Sequence, residues 1–297
     1  MDLRNAPEIG HLLRWAVCLV IAANAHAAHQ KSDDAADAVQ RHWLKESRAV
    51  AESFLVLSVP GGDDTTAFQL SKQPIFRHTQ SVRGDDIGAV HLWVTQDQRP
   101  VAVGAVFAWS LSATARMVSY EFHSLSQEPL QLMHSGAARW TCPQPGFEWK
   151  FFDADAAPPG PTPLKQRLQV RQLARLFTAS TTTQENQRWE LRFVPTPIYQ
   201  YGGAGGDVSY GAMFAFCQGT DTEVIVVIEA VTDHTGGQTA AAKWRYALVP
   251  FTDYKARVRL SDKEIWESPD GAMNEDGKPH FWSMLGPRPK PDFEQQP

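Results

Sequence analysis

In VSYEFHSL, residues 118–125, the two-residue period of an extended strand puts Glu121 and His123 on one face. Successive same-face residues lie about 7 Å apart, so a carboxylate and an imidazole there can meet one metal ion or one substrate. His78 and His91 fall in other extended stretches. A third ligand from either would complete a zinc-like site with an open position for water. The competing reading is that all four are exposed polar faces or hydrogen-bonded histidines, because no HExxH, CxxC or finger spacing singles them out.

These residues stand out because a second stretch lacks them. QPIFRHTQSVRGDDIGAVHLW (73–93) and TPIYQYGGAGGDVSYGAMFAF (196–216) lie at a constant offset of 123. Over 68–108 and 191–231, Pro74, Ile75, Gly88, Ala89, Val101 and Val103 meet identical residues at Pro197, Ile198, Gly211, Ala212, Val224 and Val226. Val90, Leu92 and Val94 fall on Met213, Ala215 and Cys217, so the strand alternation keeps its phase across the shift. His78 then aligns with Tyr201 and His91 with Phe214. Matching Tyr120 to Tyr246 puts Glu121 on Ala247 and His123 on Val249. Four positions able to ligate or move protons in the first stretch are aromatic or aliphatic in the second. If the chain has a chemical site, this asymmetry places it around Glu121 and His123.

The elements that would position them are two helices and many strands. Val39, Trp43, Val50 and Phe54 recur at helical spacing from Ser32 to about Leu55, with Ser32, Asp33 and Asp34 at the N-terminal end. A second helix is expected from Leu164 to about Ala179, with Leu168, Leu173, Leu176 and Phe177 on its apolar side and Arg167, Arg171 and Arg175 in a row. That row reads as a solvated or carboxylate-paired face, or as an anion-binding one. Strands are expected at 68–77, 88–95, 100–109, 116–124 and 146–152, and again at 189–201, 211–217, 223–231, 242–250, 254–260 and 263–267. DADAAPPGPTP (153–163) reads as a linker and GPRPKPDFEQQP as a disordered tail.

The expected fold class is α+β, with two related lobes at 32–152 and 164–284, each a helix followed by an antiparallel β-meander. The alternative is a single β-sandwich with helices at its edge. EVIVVIEAV is apolar on both alternating faces, which marks a central strand covered on both sides. Glu229 interrupts it, either at a wet strand end or buried with a raised pKa, and Arg245 is its expected partner.

Composition sets the outer bounds. The formal charge of −5, from 28 basic and 33 acidic side chains, gives no broad positive field for nucleic acid. Arg4 and Arg14, the apolar run from Trp15 to Ala25 and the small residues after it have the order of a signal peptide over 1–27. The run is too short to span a bilayer, so no membrane span is expected after cleavage near Ala25 or Ala27, and the mature chain is expected to be exported. Only Cys142 and Cys217 would then remain, and either a disulfide or two inert thiols would suit an oxidising compartment. GGAGG at 202–206 precedes a strand rather than a helix and reads as a turn, not a phosphate loop. The large aromatics Trp93, Trp109, Trp140, Trp149, Trp244 and Trp266 fill sheet cores or form a stacking surface for carbohydrate.

RLQVRQLARLFTA, LRFVPTPIYQY, GAMFAFCQGTDTEVIVVIEA and KWRYAL resemble an uncharacterised family of secreted planctomycete bacterial proteins, most clearly over about residues 165–267. The first half is similar more loosely, through GAVHLWVTQDQRPVAVGAVF and EFHSLS. The resemblance implies export and a two-part chain, and it brings no catalytic residue. The expected function is a non-catalytic binding or envelope-associated module without a cofactor, its partner a cell-envelope polysaccharide or protein. The alternative is a hydrolase or metal-dependent enzyme with its site in the first half.

Overall fold

The computed structural model of the chain describes residues 36–59, 65–80, 85–153, 156–203, 207–232, 242–268 and 281–295. The expected signal peptide, the end of GGAGG and the loop DHTGGQTA lie outside these residues. Among them no helix is long and apolar enough to cross a membrane.

Two helices and nineteen strands are described, all strand pairs antiparallel. The first half has α1 (36–52), β1 (Phe54–Ser58), β2 (Gln69–Leu70), β3 (Phe76–Gln80), β4 (Asp86–Val94), β5 (Pro100–Ser110), β6 (Ala115–Ser124), β7 (Leu130–His134), β8 (Ala137–Cys142) and β9 (Lys150–Phe151). The second has α2 (Pro163–Ala174), β10 (Phe177–Thr182), β11 (Arg188–Glu190), β12 (Arg192–Phe193), β13 (Tyr199–Tyr201), β14 (Val208–Gln218), β15 (Asp221–Val231), β16 (Lys243–Pro250), β17 (Lys255–Leu260), β18 (Lys263–Glu267) and β19 (Phe281–Pro289).

The strands form four sheets. One six-stranded sheet runs β19-β6-β5-β4-β2 with β3 also on β4, and the other runs β12-β14-β15-β16-β9 with β13 also on β14. These two pack face to face: Val90, Leu92, Val103 and Ala105 of one share a core with Met213, Ile225, Val227 and Val249 of the other. The alternate residues face outward. Trp93, Val106, Tyr120 and Phe122 pack with Trp43 of α1 and with Val56 and Leu132 of the outer sheet β1-β7-β8. Phe214, Val226, Ile228 and Tyr246 pack with Val170 of α2 and with Ala179 and Val258 of the outer sheet β11-β10-β17-β18. EVIVVIEAV is therefore covered on both sides, which is why both of its alternating sets are apolar.

The ladders of the two halves match, but the offset of 123 holds only through β3 and β4: Leu92↔Val103 answers Ala215↔Ile225, so the expected match of Val101 and Val103 with Val224 and Val226 is displaced by one residue. Phe76↔Val90, Arg77↔Ala89 and His78↔Gly88 recur 123 residues later as Tyr199↔Met213, Gln200↔Ala212 and Tyr201↔Gly211. Val106↔Tyr120 answers Ile228↔Tyr246. Leu132↔Trp140 answers Val258↔Trp266, each next to an irregularity in its ladder. The last strand of each inner sheet crosses over. β9, which follows β8, pairs with β16, while β19, which follows β18, pairs with β6.

Several expectations need correction. The second helix ends at Ala174, because Phe177 and Ala179 alternate inward as β10, opposite Leu260 and Val258. Its buried residues are Gln166, Val170 and Ala174, whereas Leu164 and Leu168 are exposed. The hairpin β7–β8 was missed; its turn puts Ser135 and Gly136 at positive φ, which only glycine adopts without cost. The expected strand at 146–152 shrinks to Lys150–Phe151. Of the two alternatives for Cys142 and Cys217, the structure has the thiols, both free and buried. The tail expected to be disordered holds the end of β19, from Gly286 to Pro289, and a short 3-10 turn, Asp292–Glu294.

A buried ion pair fixes that tail. Arg116 is 1% exposed; its Nε donates to Glu294 Oε1 (2.7 Å), and its NH2 group donates to Asp85. Trp43 Nε1 donates to Glu294 Oε2 (2.7 Å), and the Arg116 guanidinium lies 5.6 Å from the Trp43 ring. Removing one partner of a buried pair costs about 3–5 kcal/mol because the other charge stays buried. Glu294→Ala is expected to lower the unfolding free energy by about 3 kcal/mol, read as a shift in urea midpoint. A midpoint within error of wild type would show that the tail does not lock the fold.

Candidate functional site

The structure separates the four residues singled out in the sequence. His91 points to α1, where its Nε2 meets Ser47 Oγ at 3.0 Å, so it lies on the opposite face from Glu121 and His123. His78 shares the inter-sheet face but sits on β3, three strand spacings from β6, or about 14 Å. It packs edge-on against Phe107, with ring centroids 5.5 Å apart, and neither ring nitrogen has a hydrogen-bond partner. His123 is buried, with Nδ1 2.8 Å from Ser124 O. Among the described residues no three His, Cys, Asp or Glu side chains could hold one metal ion. The zinc-like arrangement is not assembled, because strand order sets its members apart.

Glu121 keeps different company. It lines a cavity of about 690 Å³ at one end of the two inner sheets, with Asp86, Glu185, Asp221, Glu223 and Asp253. Phe107 and Trp109 of β5, with Phe251 and Tyr254 from the segment after β16, add aromatic walls. Among the described residues no Lys, Arg or His lines it. Burial pushes the Glu121 carboxyl well above the usual carboxylate range, and the neighbouring charges of Asp221, Asp253 and Glu223 push it further, against a hydrogen bond from Ser119. A carboxyl whose acid form is favoured, set beside other carboxylates, can donate a proton or help receive a cation.

The matching ladders define a counterpart at the other end. A cavity of about 260 Å³ is lined by Arg99, Leu125, Trp149, Tyr201 and Glu229, among others. Leu125 closes a backbone bond to Val101 as Phe251 does to Glu223, so the two cavities are built on equivalent segments. Their charges differ. Glu229 is 1% exposed rather than at a wet strand end, and its Oε2 accepts from Arg245 Nε (2.9 Å) and NH2 (2.5 Å). Tyr201 Oη donates to its Oε1 at 2.8 Å. Arg245 in turn lies 4.1 Å over the Trp149 ring. Burial and the Glu229 carboxylate push the Tyr201 phenol well above its usual range, so it stays a donor.

The expected Glu229–Arg245 partnership is present, whereas the tryptophans form no single platform. Trp93, Trp140 and Trp244 are core residues, and Trp109 and Trp149 line different cavities. The acidic partners of Glu121 were missed. Glu223 carried a signal, a buried carboxylate opening an apolar strand, but Asp86, Asp221 and Asp253 sit at strand ends and turns, where acidic residues are ordinary. No family model, no curated protein and no solved structure matches the chain.

Two pH effects follow. Burial lowers His78 to about 4, and burial with Arg48 lowers His91 to about 4. Below about pH 6.5 an unfolded histidine takes a proton that these refuse, so stability falls as pH drops through this window, by up to about 3 kcal/mol each. His78→Phe is expected to flatten the dependence of urea midpoint on pH between about 6.5 and 4; an unchanged slope counts against a neutral buried imidazole. Glu121 has the opposite sign. Its raised pKa favours the folded state only while it is protonated, and stability is lost as pH rises above the unfolded value of about 4.3. Glu121→Gln is expected to be more stable than wild type at pH 8, with the gain gone at pH 4, as read from paired denaturation curves. A variant equally or less stable at pH 8 would refute the repulsion.

Proposed function

We propose that the chain is an exported binding module of two related α+β halves, with its ligand site in the acidic cavity around Glu121. The observation that carries the reading is that six carboxylates and four aromatic rings line one cavity, a strongly acidic and aromatic set among the described residues. Such a lining favours a ligand that brings its own positive charge and a flat face for stacking. An amino-sugar unit of a cell-envelope polysaccharide has both. The kinship of the halves is supported by their matched strand pairings, by the crossed strands β9 and β19 and by the offset of 123 that β3 and β4 share with β13 and β14. Export, and membership of the secreted family named above, rest on the sequence alone. N-terminal sequencing of exported protein tests the first, with Met1 retained as the contrary result.

A second reading has its own observation. Glu121, whose acid form burial favours, shares a cavity with other carboxyls, and two carboxyls of differing pKa can cleave glycosidic bonds, one as acid and the other as base or nucleophile. Calorimetric titration of the mature protein with oligomers of glucosamine and of N-acetylglucosamine tests the site. The free amine is expected to bind more tightly, with affinity falling as salt rises and dropping about tenfold or more in Glu223→Gln, which removes one charge from the cavity. Equal affinity for both oligomers, or none for either, would end the cationic-ligand reading. Release of new reducing ends, lost in Glu121→Gln, would move the assignment to the hydrolase.

A further inference from the structure

We propose that the smaller cavity is a second and separate site, which binds a small ligand through its carboxylate at Arg99. The charges on its floor leave one cation unanswered. Glu229 is a single buried carboxylate, and Arg245 and Tyr201 already occupy both of its oxygens. Arg99 is the additional guanidinium. Its NH2 group stands 3.5 Å from Glu229 Oε1, and among the described residues it has no other charged partner. Its side chain is 40% exposed, so the guanidinium faces the cavity with most of its donors unused. Among the described residues of the lining the remaining charged one is Glu128, which is exposed.

The arginine is also held in place before any ligand arrives. It ends the β4–β5 turn, where its backbone N–H donates to Thr95 Oγ1 at 3.0 Å and its carbonyl accepts from Thr95 N at 3.0 Å. Gln98, the residue before it, accepts a hydrogen bond from Tyr199 Oη at 3.0 Å, which ties the turn to the other inner sheet. A fixed backbone under a guanidinium fork loses little entropy when a planar carboxylate docks on it with two bonds. The rings of Phe147, Trp149 and Tyr201 form apolar walls for the body of the ligand, and about 260 Å³ suits one ring or one sugar unit. At the equivalent position in the acidic cavity stands Asp221, so the two ends of the sandwich select opposite charges.

Nuclear magnetic resonance titration of the intact protein with benzoate, galacturonate, benzamide and inorganic phosphate tests this. Saturable binding of benzoate or galacturonate is expected, with benzamide and phosphate much weaker. The two carboxylates separate a free aromatic acid from an acidic sugar. Arg99→Gln is expected to weaken the carboxylate by about tenfold or more, the loss of a hydrogen-bonded charge, and Arg99→Lys by less. Glu223→Gln, in the other cavity, is expected to leave it unchanged, so failure here and failure of the amino-sugar reading are distinguishable. Arg99 is partly exposed, and the urea midpoint of its variants checks that they fold. Carboxylate binding unaltered in folded Arg99→Gln, benzamide or phosphate bound as tightly as benzoate, or no saturable carboxylate binding would overturn the proposal.

Discussion

Face-to-face packing of the two inner sheets leaves all nine residues of β4 buried, and β14 is nearly as dry. Strands covered on both sides have no solvent face to which a polar side chain can be assigned, so each such residue in them must be paired, neutralised or left under strain. His91 is paired with Ser47 and Glu229 with Arg245 and Tyr201, whereas His78 stays neutral against a ring. Glu121 meets the same demand with fellow carboxylates around it. At the matching place on β16 stands Ala247, which makes no such demand.

The equivalent cavities show how little change separates a closed site from an open one. At one end Glu229 and Arg245 face each other across β15 and β16, and the guanidinium stacks on Trp149. At the other end the equivalent cross-strand pair is Phe107 and Ser119. An ion pair in one half is thus answered in the other by a ring and a hydroxyl that line the larger cavity. Gly88 and Gly211 hold matching places beside different side chains. A Cβ at Gly211 would lie 2.4 Å from the Tyr201 ring, and one at Gly88 would lie 2.3 Å from Phe107 Cβ, so each glycine makes room for its own half's side chain.

Much of this architecture was legible because burial on both faces writes itself as long apolar strands. The strands β4, β5, β14, β15 and β16 stand close to their expected ranges. The outer sheets were harder to read. β1 and β10 directly follow helices, and their apolar residues fit a 3.6-residue period as well as a 2-residue one, so helical spacing absorbed Phe54 and Phe177. The site was half legible. Comparison of the halves picked out Glu121, because a carboxylate opposite an alanine is a local difference. The charges that surround it come from turns and strand ends distant in sequence, and only the stacking of one sheet on the other brings them together.

That stacking is itself held by the ends of the chain. β6 carries Glu121 and would be an edge strand without β19, whose Ser283 pairs opposite it and whose Leu285 lines the acidic cavity. β19 stays in register through nine residue pairs, and beyond it Glu294 is bound by Arg116 of β6 and Trp43 of α1. The last turn of the chain is thus joined by charge to the strand that bears the candidate site, and by a hydrogen bond to the helix behind it. An exposed edge would leave the Glu121 carboxyl open to water, which would lower the cost of ionising it and relax the repulsion that sets the cavity apart. Closure of the sheet by a strand from the far half is therefore part of what gives the site its charge state, and the crossed strands link the chemistry of the first half to the integrity of the second.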